Sequence, residues 1–230
     1  MTYASLISWL KRFIPGPAAM GPREKIRAAF GIFCGIGVTA LVSTFAVSGM
    51  AGAPLLIAPM GASAILLFAA PASPFAQPWA VIGGHMVAAL VGVTIAHLVG
   101  TPMLAAPLAV ALSFGVMTLF RCVHPPSGAI ALIAVLGGPK VTEMGYSFAL
   151  VPVLLNSVLL IASALIYNNL TGRSFPHAPA QPISPAFSLT LEDINLVLTQ
   201  YGEALDISRE DLEGLYQSLV AHAQTKNNNH

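Results

Sequence analysis

Charge is what this sequence has least of. Asp, Glu, Lys and Arg make up 8% of its 230 residues, against roughly a quarter in a soluble domain. Between Ala28 and Leu170 the formal charges are Arg121, Lys140 and Glu143 alone. An ordinary soluble fold is excluded by that deficit. Paired-carboxylate catalysis is excluded across the same stretch, and metal-ligand spacing, a nucleophile elbow and a phosphate loop are all missing. A hydrolase built on Ser127 and His124 would lack an orienting acid. The expectation is therefore no enzyme, no metal and no cofactor.

Cysteine is nearly absent too. Cys34 and Cys122 sit in apolar runs, are spaced for neither a metal site nor a disulfide framework, and read as small core hydrophobes. The net charge of +1 says nothing about nucleic acid, because a basic front (Lys11, Arg12, Arg23, Lys25, Arg27) is balanced by an acidic tail, and no nucleic-acid partner is expected. A cleavable signal is not evident: the apolar run from Leu6 to Ile14 is short, contains Trp9, Lys11 and Arg12, and leads into prolines. It reads as an amphipathic interfacial segment or as a disordered tail.

Apolar runs are what the chain has in quantity. Crossing a hydrocarbon core takes about 20 apolar residues. Four uncharged segments meet that length: Ala28 to Ser48, Trp79 to Gly100, Pro102 to Phe120 and Tyr146 to Tyr167. Two further apolar stretches are shorter and interrupted by proline. One passes through Pro59 into Met60-Gly61-Ala62-Ser63 and ends at Pro71. The other passes through His124-Pro125-Pro126 into Ser127-Gly128-Ala129 and ends at Gly137-Gly138-Pro139. Proline is tolerated at a first helical position, so each stretch predicts a half-helix of about 15 Å.

The two short stretches align, Pro59-x-Gly61-Ala62-x-Ala64 on Pro126-x-Gly128-Ala129-x-Ala131, at a separation of 67 residues, and Trp79 and Tyr146 stand at the same separation. The expected fold class is an all-α membrane protein of two three-element repeats, long helix, half-helix, long helix, covering about 28–100 and 101–170. Interrupted segments at matching places in two halves point to a transporter binding site. If the short stretches cross the bilayer, the repeats are inverted and Arg23, Lys25, Arg27, Arg121 and Arg173 share one side, with Lys140 and Glu143 on the other. If they re-enter, Arg121 changes sides. The positive-inside rule favours crossing, and both termini are cytoplasmic either way.

The remaining regions are a basic front over 1–27, the membrane domain over 28–170, a Pro-rich linker over 171–188 and a soluble helical tail over 189–230. In the tail, Thr190 with Asp193 and Ser208 with Asp211 are capping signatures for two short helices separated by Gly202. So short a hairpin buries little core of its own.

Broken helices persist in a membrane only where they are buried in protein or line a cavity. The N–H groups of Met60 to Ser63 and of Ser127 to Ile130 are expected to lack intrahelical acceptors, and each helix start carries about half a positive charge. Two such starts converging would suit a monovalent anion. The candidate binding residues are Pro59, Met60, Gly61, Ala62, Ser63, Arg121, His124, Pro125, Pro126, Ser127, Gly128, Ala129 and Asn156. Gly61 and Gly128 would leave backbone open to the ligand, Ser63 and Ser127 add hydroxyls, and Arg121 is either a fixed cation of the site or its vestibule, or a residue snorkelling at a helix end. His124 is a structural cap or a protonatable gate. Small residues also serve plain helix packing, and Asn156 also serves as interhelical glue. His85 and His97 read as packed or interfacial histidines.

The stretch Arg121-Cys122-Val123-His124-Pro125-Pro126-Ser127-Gly128-Ala129, with Pro59-Met60-Gly61-Ala62-Ser63 and Gly83-Gly84-His85, resembles the HPP family of integral membrane proteins over about residues 20–172. The resemblance implies a bacterial inner-membrane protein and, for some plastid and cyanobacterial relatives, nitrite transport. Many bacterial relatives continue into a pair of cystathionine-beta-synthase domains; this chain stops at His230, so nucleotide sensing is not carried over. The expected function is a transporter or channel for a small inorganic anion, nitrite first, in a homo-oligomer embedded in the lipid bilayer. The alternatives are a pore for water or a neutral solute, and a membrane sensor or scaffold acting through the tail.

Overall fold

The computed structural model describes residues 20–46 and 56–177, together with residues 9, 10, 13, 212 and 216. Its contacts separate Met1–Lys25 with Ile183–His230 from Ile26–Pro182, and the account below concerns the latter unit. The expected helical tail and most of the Pro-rich linker and of the amphipathic front lie outside the described residues.

All regular structure among the described residues is helical, as expected. In chain order the helices are α1 (Pro22–Ala46), α2 (Pro59–Ala69), α3 (Pro78–Leu98), α4 (Pro102–Leu119), α5 (Ser127–Leu136), α6 (Pro139–Met144) and α7 (Leu155–Leu170). A 3-10 turn, Pro74–Ala76, precedes α3, and a π-helical segment, Ala149–Leu154, runs directly into α7. Proline opens α1, α2, α3, α4 and α6, where the missing N–H costs nothing and the fixed φ favours the first turn. Among the described residues four stretches are long and apolar enough to cross a membrane: Pro22–Phe45, Pro78–Leu98, Pro102–Leu119 and Ala149–Leu170. The short helices α2 and α5 have 11 and 10 residues.

Two boundaries differ from expectation. α1 starts at Pro22, so it absorbs Arg23, Glu24, Lys25 and Arg27; charges end an apolar run but not a helix. The last span is not one regular helix from Tyr146. Val151 has φ −133° and ψ 115°, next to Pro152, because proline removes a backbone donor and pushes the preceding residue out of the helical region.

Side-chain contacts fix the path of the chain. At one end of the bundle, Arg27 Nη2 donates to Phe68 O at 2.6 Å and Nη1 to Asn168 Oδ1 at 3.0 Å, while Tyr167 Oη donates to Arg27 O at 2.7 Å. The start of α1 therefore meets the ends of α2 and α7. Toward the other end of α1, Asn156 Nδ2 donates to Ser43 Oγ at 2.9 Å and Asn156 Oδ1 accepts from Ile57 N at 3.2 Å. Helices α1 and α2 are thus antiparallel. The start of α3 lies level with the end of α4, where Trp79 Nε1 donates to Phe120 O at 3.1 Å. At the opposite end Tyr146 Oη is 3.1 Å from Thr94 Oγ1, so the last span begins where α3 finishes. The stretch holding α2 and the stretch holding α5 each pass from one end of the bundle to the other.

α3 is the hub, packed against α4, α5, the π-helical segment and α7. Its small residues permit close approach: a Cβ on Gly92 would lie 2.7 Å from Ala134 Cβ and 3.0 Å from Ala131 O. Gly84, Ala88 and Gly92 recur every four residues and form one small-residue face. The outer faces stay apolar and exposed, as with Phe30, Phe33 and Phe45 on α1 and Met103, Leu104 and Phe114 on α4. Such surfaces are stable against lipid tails.

Candidate functional site

The centre of the bundle holds a set of polar side chains, one of which, His124, is delivered by the break before α5. Ser63, His85, His124 and Ser157 are each 0% exposed. Ser63 Oγ lies 2.8 Å from His124 Nε2 and 3.1 Å from His85 Nε2. His85 Nδ1 is 2.8 Å from Ser157 Oγ, which also reaches Val153 O at 2.7 Å. His124 Nδ1 is 2.7 Å from Phe75 O. A carbonyl only accepts, so His124 Nδ1 carries a proton and donates it there. The two imidazoles stand edge to face, with centroids 4.7 Å apart and planes at 74°.

Local sequence explains the assembly. Pro125 and Pro126 cannot continue α4, and the chain turns through them into α5, leaving His124 directed inward. Ser63 is one turn into α2 on the buried side of that helix. His85 follows Gly83-Gly84, whose missing side chains let α3 close on residues 122–127. A Cβ on Gly84 would stand 2.8 Å from Cys122 O, 2.8 Å from His124 Cβ and 2.9 Å from Ser127 Oγ. Gly83 faces Cys122 in the same way, at 2.8 Å from its Cβ.

Of the residues proposed from sequence, Ser63 and His124 meet directly, with Ser127 alongside. Ser127 Oγ is buried without a hydrogen-bond partner. Pro59 and Met60 are buried under α2, whereas Gly61 and Ala62 face outward. Pro125 and Ala129 are exposed, and Pro126 and Gly128 are half-buried. Asn156 is buried but joins Ser43 to Ile57 one residue from Ser157, a tie between helices.

Three details correct the sequence reading. The amides at the two helix starts are already bonded: Met60 N to Ile57 O and Gly61 N to Ala58 O, both 3.0 Å, and Ser127, Gly128 and Ala129 N to His124, Pro125 and Pro126 O at 2.9, 3.2 and 3.1 Å. Tight i to i−3 turns take up donors that an isolated α-helix would leave open. Second, Arg121 is exposed, which selects the helix-end alternative of the two read from sequence. It adopts φ 54° at the C′ position of α4, with Arg121 N bonded to Thr118 O at 3.2 Å and Cys122 N to Met117 O at 2.9 Å, a Schellman stop. Third, His85 is a member of the cluster and not a separate packed residue. The Gly-Gly pair before it, which marks close backbone approach, is the signal that could have found it.

Among the described residues no group of three or more His, Cys, Asp and Glu comes together to hold a metal ion. The cluster offers N–H and O–H donors and ring lone pairs, with no carboxylate. It can bind a small acceptor or carry a proton.

The family model for the HPP transmembrane region matches residues 17–176. The chain belongs to the HPP transmembrane family. The His124-Pro125-Pro126 turn of this HPP chain is thus the segment that delivers one of the two buried histidines. It is also similar to two transmembrane proteins of Dictyostelium discoideum: one 38% identical over 127 residues, covering 53% of this chain and 44% of the relative, the other 38% identical over 118 residues, covering 50% and 38%. The chain spans less than half the length of these curated relatives. No solved structure matches it.

Proposed function

We propose that this HPP protein is a transporter or channel for a small inorganic anion, nitrite first, residing in a bacterial inner membrane with both termini cytoplasmic. The observation that carries the reading is the buried Ser63–His85–His124 meeting point, reached through two short helices and free of carboxylates. A negative charge anywhere in it would repel an anion; N–H and O–H donors in a low-dielectric interior attract one. The opposite directions in which the two halves cross the bundle support an inverted repeat, an arrangement that places substrate sites near mid-membrane. In this reading Arg121, exposed where α4 ends, serves the vestibule and not the site itself. The wide apolar flanks of α1 and α4 suit lipid and a second copy of the chain in a homo-oligomer.

The test is uptake into proteoliposomes, compared for nitrite, nitrate, formate and chloride. Selective, saturable flux of nitrite above empty liposomes is the expected result. Background flux for every anion sinks the proposal.

A pore for water or a neutral solute is the second reading. It is favoured by the helix-start amides being internally bonded and by Arg121 lying outside the cluster, so that its full positive charge does not face it. Osmotic swelling of the same proteoliposomes distinguishes the two: rapid water or glycerol equilibration without anion flux supports the pore.

A further inference from the structure

The hydrogen-bonded chain through the bundle centre is one proton short. Its links are Phe75 O to His124 Nδ1, His124 Nε2 to Ser63 Oγ, Ser63 Oγ to His85 Nε2, His85 Nδ1 to Ser157 Oγ, and Ser157 Oγ to Val153 O. Both ends are carbonyl oxygens, which bring no proton. Two neutral imidazoles and two hydroxyls supply one proton each, and every link needs its own. One link must then bring two lone pairs face to face. The Ser63 proton is under further demand from Pro59 O at 3.2 Å.

A single added proton removes the conflict, and it can do so from either ring. With His124 doubly protonated, Nε2 donates to Ser63, Ser63 to His85 Nε2, His85 Nδ1 to Ser157, and Ser157 to Val153 O. With His85 doubly protonated, its Nε2 donates to Ser63, and Ser63 donates to His124 Nε2. The two arrangements interconvert when Ser63 Oγ takes the proton of one ring nitrogen as it releases its own to the other. One N–H bond breaks and one forms, and the hydroxyl is restored. Buried polar networks are stabilised when every member is satisfied and are costly when one is not.

We propose that Ser63, His85, His124 and Ser157 form a proton-binding relay that takes up one proton for two rings, and that the proton enters together with an anion. The charges around it call for the anion. Helices α2, α4 and α5 carry no ionisable side chain, and α7 carries only Tyr167, held at the Arg27 end of the bundle. On the segment after α4, Cys122 lies beside Gly83 and Arg121 is exposed, a like charge to the added one. On α1 the carboxylate Glu24 stands in the first turn, before Arg27, and beyond Arg27 the sole titratable group is Cys34; the carboxylate nearest in sequence to either ring, Glu143, is exposed on α6 toward the opposite end. A buried cation without a counter-charge is strongly unfavourable. The free hydroxyl of Ser127, next to His124, is an available donor for the ion that supplies that charge. By linkage, an anion that favours the proton is favoured by it to the same degree.

The anion half of this proposal rests on the transport reading above; the proton half does not. Histidine ring-nitrogen NMR on the full chain in lipid nanodiscs, titrated from pH 8 to pH 4 in gluconate and again with nitrite or nitrate, tests both halves. The expected result is one proton taken up jointly by His85 and His124, with the midpoint raised by about one pH unit by the small anion. In Ser63→Ala, checked for folding by size-exclusion profile and melting temperature, the two rings become independent. Rings that stay neutral to pH 4, or that titrate separately in the parent protein, overturn the relay. A joint midpoint that ignores nitrite and nitrate overturns the coupling. Joint uptake that responds to the anion, in a protein whose liposomes pass no anion, upholds the site and removes only the transport reading.

Discussion

Ser63 Oγ lies 2.8 Å from His124 Nε2, and this contact joins the first turns of one short helix to the segment that leads into the other. Through the same oxygen His85 is reached at 3.1 Å, so one hydroxyl serves two imidazoles. Replacing Ser63 by alanine leaves both Nε2 atoms without that partner in a fully buried site. The loss is expected to cost about 1–3 kcal/mol of stability, read as a lowered melting temperature in detergent. In the proposed transport function, nitrite uptake falls by about tenfold, since losing a link worth roughly 1.4 kcal/mol changes an equilibrium by that factor. Ser63→Thr, which keeps the hydroxyl, retains more of both.

Gly84 and Gly61 make opposite predictions. A Cβ on Gly84 would meet Cys122 O and His124 Cβ at 2.8 Å, and backbone cannot yield as a side-chain tip can. Gly84→Ala is expected to destabilise the bundle by about 1–3 kcal/mol through overpacking and to displace His124. A Cβ on Gly61 meets nothing within 4 Å, so Gly61→Ala leaves the melting temperature of the single chain unchanged. Melting curves of the two variants side by side check the contrast. Equal effects would mean that the close approach of α3 to residues 122–127 is not what requires Gly84.

The elements and their order were legible in the sequence because their physical signals are local. Proline before Met60 and before Ser127 marks a helix start, and a scarcity of charge marks a span. What was not legible depended on contacts far apart in the chain. His85 and His97 look alike as single histidines on α3; only the approach of Ser63, Ser157 and His124, residues 22 to 72 positions away from His85, distinguishes them. The tight turns at Ala58 and Pro126 that occupy the helix-start amides depend on backbone angles that residue types do not dictate. For Arg121 the sequence leaves a site cation and a helix-end residue both open; its φ of 54°, which makes it the stop of α4, is a feature that residue type does not announce, since that position more often falls to glycine.

Arg27 anchors one end of the bundle. Its guanidinium donates to Phe68 O, Asn168 Oδ1 and Thr171 Oγ1, capping the carbonyl end of α2, where a cation is also favoured by the helix dipole. Arg27→Ala strands the Phe68 carbonyl and is expected to cost about 2–3 kcal/mol, the range for hydrogen bonds to a charged group. Arg27→Lys recovers part of it, since an ammonium keeps the charge but cannot span the three acceptors with a planar fork. Thermal unfolding in detergent reads both variants. An unchanged melting temperature in Arg27→Ala would show that the guanidinium is not among the contacts that hold α1.

Arg121→Gly separates local backbone from long-range charge. A non-glycine residue in the left-handed region carries a strain of about 1–2 kcal/mol, which glycine relieves at C′, so the variant is expected to melt at the same temperature or higher. If Arg121 attracts anions at the vestibule, its removal lowers nitrite uptake several-fold at low ionic strength. The difference shrinks as salt is raised, because charges farther apart than the Debye length of about 8 Å at physiological ionic strength are largely screened. A residue that contacts the ion directly would show a defect that salt does not erase. Uptake measured at 10 mM and 300 mM potassium gluconate, conditions on the order of those over which screening changes most, gives the answer: a salt-dependent deficit places Arg121 at the entrance, a salt-independent one returns it to the binding site, and no deficit leaves it as the stop of α4.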